Sequence, residues 1–186
     1  MEYTSYYNYL KKRGKVGLLY RKIYLYPRLC RYLKGRALDI GCGIGDMLDF
    51  RANTIGVDIN PNLVDWCRKR NLDARLINGY SLPFGNHEFQ SVIMDNVLEH
   101  ILNPEKLLSE IYRVISHNGN FIIGVPGALG FNYDKDHKIY YKEELLVNTL
   151  SNAGFSKKLI FYMPFYSDWL NKKLRQYCIY GVFTPS

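Results

Sequence analysis

The chain has 186 residues, 47% of them hydrophobic, and carries 25 Lys+Arg against 17 Asp+Glu for a net charge of +8. This length suits a single α/β domain with a core that needs no staples, and the composition excludes a disordered chain. No apolar run approaches the ~20 residues of a bilayer span, and Cys30, Cys42, Cys67 and Cys178 show neither a Cys-x-x-Cys pair nor a metal-ligand spacing, which excludes a disulfide scaffold and a zinc ribbon.

Free cysteines and the absence of an opening secretory signal lead us to expect a cytoplasmic protein. Residues 1–35 form a basic head. Ten Lys/Arg and one acid precede Ala37, together with eight of the 17 tyrosines, whereas the remainder is close to neutral. The expectation is a Tyr-rich helical segment that acts as a lid on a main domain over 36–186. Its surface would suit an anionic membrane, an anionic substrate or, less well, a nucleic acid.

A short buried strand over 36–40 runs into the turn Gly41-Cys42-Gly43-Ile44-Gly45. A second strand over 54–57 ends at Asp58, and Asn60-Pro61 opens a helix to about Arg70. Strands over 74–77 and 89–94 flank a loop over 78–88. Asn103-Pro104 opens a helix whose apolar face is Leu107, Leu108, Ile111, Val114 and Ile115, and Asn118-Gly119 is expected to stop it before a strand over 120–125. A helix over 142–153 is closed by Gly154. Strands over 159–162 and 177–183 flank a short polar helix over 168–175. The alternation predicts a doubly wound, mostly parallel seven-stranded sheet with helices on both faces. Ligands of such sheets bind beyond the carboxyl ends of the strands, here after Ile40, Val57, Ile77 and Met94.

Three glycines at alternate positions let the backbone approach a ligand without an intervening Cβ. Asp46 stands where a dinucleotide Gly-x-Gly-x-x-Gly needs glycine, and Asp39 would repel a pyrophosphate. A cationic ligand favours the same acid, and the sulfonium and α-ammonium of S-adenosylmethionine (SAM) are both positive. Asp58 can accept two hydrogen bonds from ribose hydroxyls. The plainer alternative makes Asp39 and Asp58 turn or cap residues.

With Leu-Asp-Ile-Gly-Cys-Gly-Ile-Gly (38–45), Gly-Val-Asp-Ile-Asn (56–60), Ser-Leu-Pro-Phe (81–84) and Asn-Val-Leu-Glu-His (96–100), residues 36–155 resemble the class I SAM-dependent methyltransferases, in particular the small single-domain, type 11-like group. The resemblance implies a Rossmann-like fold, SAM as cofactor and methyl transfer. It implies that Asp39, Gly41, Gly43 and Gly45, with Cys42 among them, cradle the amino-acid part of SAM. Asp58 would hold the ribose, Ile59 would line the adenine pocket with Asn78 and Gly79 at its far edge, and Asp95-Asn96 would flank the methionine and the transferred methyl. Three departures stand out. Only eight residues separate Gly45 from the second strand, so the first helix is short. Asn78 replaces the usual Asp. Some quinone-type and RNA-end relatives place metal-binding acids in a Glu-x-x-Glu-His run, and Asn96 at the first acid argues against a metal here.

Methyl transfer needs an aligned acceptor and, for an oxygen of high pKa, a base. The candidate catalytic residues are His137, on the loop Asp134-Lys135-Asp136-His137-Lys138, and Asp95. A metal held by Asp134, Asp136 and His137, or a merely solvated loop, are the alternatives. Gly127, Gly130, Phe131, Tyr133, Tyr140 and Tyr141 suggest a segment able to close over a substrate. His100 is expected to make a structural hydrogen bond, while His87 and His117 carry no chemical claim. The expected reaction is O-methylation of a small-molecule, glycan or lipid-linked sugar acceptor, with a peripheral membrane contact through the head. An RNA methyltransferase and a non-catalytic SAM-binding partner are the rivals.

Overall fold

The computed structural model describes residues 3–11 and 14–186. Glu2, Lys12 and Arg13, which enter the charge of the head, lie outside the described residues, as do the side chains of Tyr9, Lys11 and Lys15. The head comprises α1 (Tyr3–Lys11) and α2 (Lys15–Tyr20), which runs through a π-helical turn (Arg21–Leu25) into α3 (Tyr26–Cys30). There follow β1 (Ala37–Ile40), α4 (Asp46–Phe50), β2 (Thr54–Asp58), α5 (Pro61–Lys69), β3 (Ala74–Leu76) and β4 (Phe89–Asp95). A 3₁₀ turn (Leu98–His100) leads to α6 (Glu105–Val114), β5 (Ile115–Pro126), α7 (Ala128–Tyr133), α8 (Glu143–Asn152), β6 (Phe155–Met163), α9 (Asp168–Lys173) and β7 (Cys178–Pro185).

The seven strands form one sheet in the order β3-β2-β1-β4-β5-β7-β6. The first five are parallel, and β7 is antiparallel to both its neighbours. Strand order reverses between β1 and β4, where Ile40 pairs with both Val57 and Met94. The glycine turn after Ile40 therefore emerges between the tips of β2 and β4.

Alternation along the central strands decides which helices cover which face. Val92 and Met94 of β4, with Phe121 and Ile123 of β5, pack with Leu107, Leu108 and Ile111 of α6 and Leu146 and Leu150 of α8. Ile93 and Ile122 point the other way, into a cluster with Leu25, Tyr26, Leu29 and Leu33 of the head and with Phe161 and Tyr180. The strands of a parallel sheet are apolar on both sides and need two covering layers. Here the tyrosine-rich head is part of one of them.

The structure corrects two boundaries. The helix expected to run to Asn118-Gly119 ends at Val114, because the buried Ile115 pairs with Phe89 and begins β5. The segment expected to be a loop over 126–141 contains α7, and its glycines serve close packing. A Cβ on Gly130 would lie 2.7 Å from the Arg175 carbonyl oxygen, and the Gly127 N–H donates to the Tyr177 carbonyl at 2.7 Å.

Gly45 caps α4 with φ of +80°, and a Cβ there would sit 2.8 Å from both Cys67 Sγ and Leu72 Cδ1. Gly45→Ala is expected to destabilise the protein by about 2–4 kcal/mol, the left-handed backbone and the overpacking acting together. A urea midpoint equal to that of the parent would show that the turn rebuilds.

Candidate functional site

The tips of β1, β2 and β4 open into a cavity of about 440 Å³. Of the expected cofactor-site residues, Asp39, Gly41, Cys42, Gly43, Asp58, Ile59, Gly79, Asp95 and Asn96 line it. Gly45 and Asn78 are not among the lining residues. Gly45 is engaged in packing α4 against α5, and Asn78 is exposed, with Ile77 and Tyr80 lining the wall on either side of Gly79.

The acids are held differently. Asp58 ends β2 and accepts the Gly43 N–H at one carboxylate oxygen and the Asn60 N–H at the other, each at 2.9 Å. Asn60 in turn accepts the Asn62 N–H at 3.0 Å to cap α5, and its amide donates to the Tyr3 carbonyl at 2.9 Å, which ties α1 to the site. Asp95 accepts the Tyr180 hydroxyl at 2.7 Å and the Asn96 amide at 2.8 Å on one oxygen, with Arg21 Nη1 3.4 Å from the other. Burial works against the Arg21 charge, but Asp95 beside it prevails and raises the Arg21 pKa. Asp39 is different. It is 6% exposed, and its carboxylate has no hydrogen-bond partner among the described residues. Burial, then Asp95 and Asp58, push its carboxyl well above the usual range.

A buried carboxylate without a partner is costly, and one that faces a cavity calls for a cation or a donor there. SAM offers both through its sulfonium and α-ammonium. Gly41 has φ of +72°, and a Cβ on it would meet Val97 Cγ2 at 2.5 Å. The residues present thus fit SAM, and five carboxylates around one cavity (Asp39, Asp46, Asp58, Asp95 and Asp136) do not suit a pyrophosphate.

The head, expected from the sequence to act as a lid, supplies a wall through residues that sequence reading did not single out. Tyr3, Tyr6, Leu10, Arg21 and Tyr26 all line the cavity. The density of Lys, Arg and Tyr marked the segment, but nothing distinguished Arg21 from nine other basic residues. Tyr180, which anchors Asp95, was equally hidden within an apolar strand.

His137 is not among the lining residues, whereas His100 and Asp136 are. His137 stacks on Phe131 and faces His100, with ring centroids 5.3 and 4.6 Å apart. Its Nδ1 lies 2.8 Å from the Phe131 carbonyl, and its Nε2 lies 3.7 Å from Glu99 Oε1. The Glu99 carbonyl accepts the Lys138 and Ile139 N–H groups at 2.7 and 3.1 Å, which docks this segment on the 3₁₀ turn. Burial pushes the Glu99 carboxyl up to about 8, and burial followed by His137 lowers the His100 pKa. His87 and His117 form a ring pair at the surface, 4.1 Å apart.

Residues 38–123 match the family described as "Methyltransferase domain". An uncharacterized protein of Methanocaldococcus jannaschii is 35% identical over 133 residues, which is 69% of this chain and 65% of the relative. A protein of Mycolicibacterium smegmatis described as a probable S-adenosylmethionine-dependent methyltransferase is 30% identical over 144 residues, 70% of this chain and 56% of the relative. The chain thus spans less than two thirds of either relative's length. Among solved structures, a SAM-dependent methyltransferase of Thermotoga maritima superposes with a TM-score of 0.73 at 20% identity, covering 97% of this chain and 99% of that one.

Proposed function

We propose that this chain, whose residues 38–123 match a methyltransferase domain, is a class I SAM-dependent methyltransferase that methylates an oxygen of a small-molecule, glycan or lipid-linked sugar acceptor. When bound, SAM supplies an electrophilic methyl carried on a sulfonium. The observation that carries the reading is the buried Asp39 carboxylate, unpartnered among the described residues and facing the cavity at the glycine turn. Asp39 would balance the positive charge of the amino-acid part, and Gly41 and Gly43 would let that part approach the backbone. Asp58 keeps free lone pairs for ribose hydroxyls, because each of its oxygens accepts one backbone N–H. Ile59, Gly79 and Tyr80 would bound the base. Tyr6 and Tyr26, which also line the cavity, supply flat surfaces suited to a sugar ring or a phenol.

Calorimetric titration with SAM and S-adenosylhomocysteine, with NAD as control, tests the cofactor. Binding of the SAM pair alone is expected. Asp58→Ala should weaken it by about 1.5–3 kcal/mol, the range for hydrogen bonds to a charged group. Wild-type affinity in that variant would remove the ribose assignment. Labelled SAM offered with pools of hydroxylated acceptors tests the transfer, and turnover confined to amine acceptors or RNA would replace the oxygen reading.

A second reading concerns the surface of the head. Val16, Leu19, Ile23 and Tyr24 are exposed at helical spacing beside the exposed Lys22, and the Tyr24 hydroxyl donates to the Pro164 carbonyl next to the exposed Phe165, Tyr166 and Trp169. An apolar stripe with basic flanks suits an anionic membrane surface. Co-sedimentation with phosphatidylserine vesicles, lost at high salt and weakened in Ile23→Ser, is the expected result. Equal retention on neutral vesicles would overturn it.

A further inference from the structure

We propose that Cys42 and Cys67 are an oxidation site, at which the two thiols join in a reversible disulfide that distorts the glycine turn. Cys42 sits between Gly41 and Gly43, whose φ values are +72° and +56°, and Cys67 is buried on α5. The two residues meet beneath the turn in one small cluster with Leu48, Val64 and Ala74. Their thiols share a hydrogen bond, and Cys67 Sγ also lies 3.4 Å from the Gly43 carbonyl, to which it donates. Gly56 makes room for the pair. A Cβ there would lie 2.6 Å from the Cys42 sulfur, so a side chain at this point of β2 would push Cys42 away.

The two sulfurs differ in access and in acidity. Cys42 lines the cavity, whereas Cys67 has no exposed surface. The hydrogen bond from Cys42 lowers the Cys67 pKa against the effect of burial, and Arg70 adds to it. Giving that hydrogen bond, and burial, raise the Cys42 pKa. A small hydroperoxide entering the cavity therefore meets Cys42 first, with the more readily ionised thiol directly behind it. Cys42 gives up its proton and attacks the O–O bond, which breaks. Its sulfur becomes a sulfenic acid, and the leaving oxygen takes up a proton to depart as an alcohol, or as water from hydrogen peroxide. The Cys67 thiolate then attacks the sulfenic sulfur. The S–S bond forms, the S–O bond breaks, and the released hydroxide takes the Cys67 proton to become water. Two thiols lose two electrons and two protons, and the peroxide gains them.

Cys42 is fixed to the turn at both ends. Its N–H donates to the Val57 carbonyl at 3.0 Å, its carbonyl accepts the Gly45 N–H at 2.9 Å, and the next N–H, that of Gly43, holds Asp58. Closing the sulfurs to the bond length of about 2.0 Å draws Cys42 toward α5 and so disturbs the turn and the Asp58 carboxylate together. Bound SAM would in return cover Cys42, so cofactor and oxidation exclude each other. That consequence rests on the methyl-transfer reading; the disulfide itself does not.

The test treats the full chain with hydrogen peroxide, removes the excess with catalase and maps the cysteines by mass spectrometry after alkylation of the unfolded chain. A linked Cys42–Cys67 peptide that dithiothreitol removes is expected, with Cys30 and Cys178 alkylated. The oxidised chain should bind SAM at least about tenfold more weakly, as expected for loss of one hydrogen bond to a charged group. Saturating SAM should slow the oxidation. Cys67→Ser, whose hydroxyl can still donate to the Gly43 carbonyl, should keep the SAM affinity of the reduced parent and stop at a Cys42 sulfenic acid that dimedone traps. Thermal melts check that this variant folds, and the peptide map of the parent decides the matter if it does not. Linkage through Cys30 or Cys178, oxidation of Cys42 without a link to Cys67, or a linked chain with undiminished SAM affinity would overturn the proposal. A linked Cys42–Cys67 peptide in a chain that binds no SAM when reduced would overturn the proposed function and leave the oxidation site standing.

Discussion

Asp39→Asn is expected to make the ligand-free protein more stable while weakening SAM binding by about 1.5–3 kcal/mol, roughly tenfold to 150-fold. Both effects come from one cause. Burial and the neighbouring Asp95 and Asp58 raise the Asp39 pKa, so the folded state holds its proton more tightly than the unfolded chain does. Stability is therefore lost as pH rises from the ordinary carboxylate range toward the raised folded value. An uncharged amide escapes that loss. It also cannot balance a sulfonium or an ammonium. Binding of SAM by the parent should strengthen as pH rises through the Asp39 titration, and the variant should lack that dependence. Denaturant unfolding of the free protein and calorimetry across pH measure the two effects. A less stable variant with unchanged affinity would mean that Asp39 is only a structural turn residue.

Arg21→Met should destabilise the fold by about 1–3 kcal/mol, between the costs of breaking an exposed and a fully buried ion pair. The Arg21 and Asp95 side chains are 26% and 15% exposed, and Arg21 Nη1 lies 3.4 Å from Asp95. Without the guanidinium, Asp95 keeps the Tyr180 and Asn96 donors but no cation among the ion pairs of the described residues. Pairing Arg21→Met with Asp95→Asn should recover part of the loss, because the uncompensated charge disappears. Strict additivity in that cycle would show that the pair is not coupled.

Patterns local to the chain are legible in the sequence. The fully buried β1 and β2 read as apolar runs, and the buried face of α6 follows the three- and four-residue spacing of Leu107, Leu108, Ile111 and Val114. Proline at the start of α5 and Gly154 beyond α8 mark their ends, because these residues act through their own backbone geometry. The end of α6 departs from its local signal for a related reason. Asn118-Gly119 is a strong local stop, yet pairing of Ile115 with Phe89 ends the helix four residues earlier. That pairing joins residues from different strands and leaves no local trace.

By itself, the sequence determined the parallel sheet, the glycine turn and the acids at the strand tips, since strand period, positive-φ glycines and tip carboxylates are set over a few neighbouring residues. The tertiary structure alone decided that Arg21 meets Asp95, which residues of the head wall the cavity and that His137 sits against Glu99 and His100. Those meetings join segments dozens of residues apart. They depend on which sheet face each layer covers and on where a returning segment finds a free carbonyl to dock on.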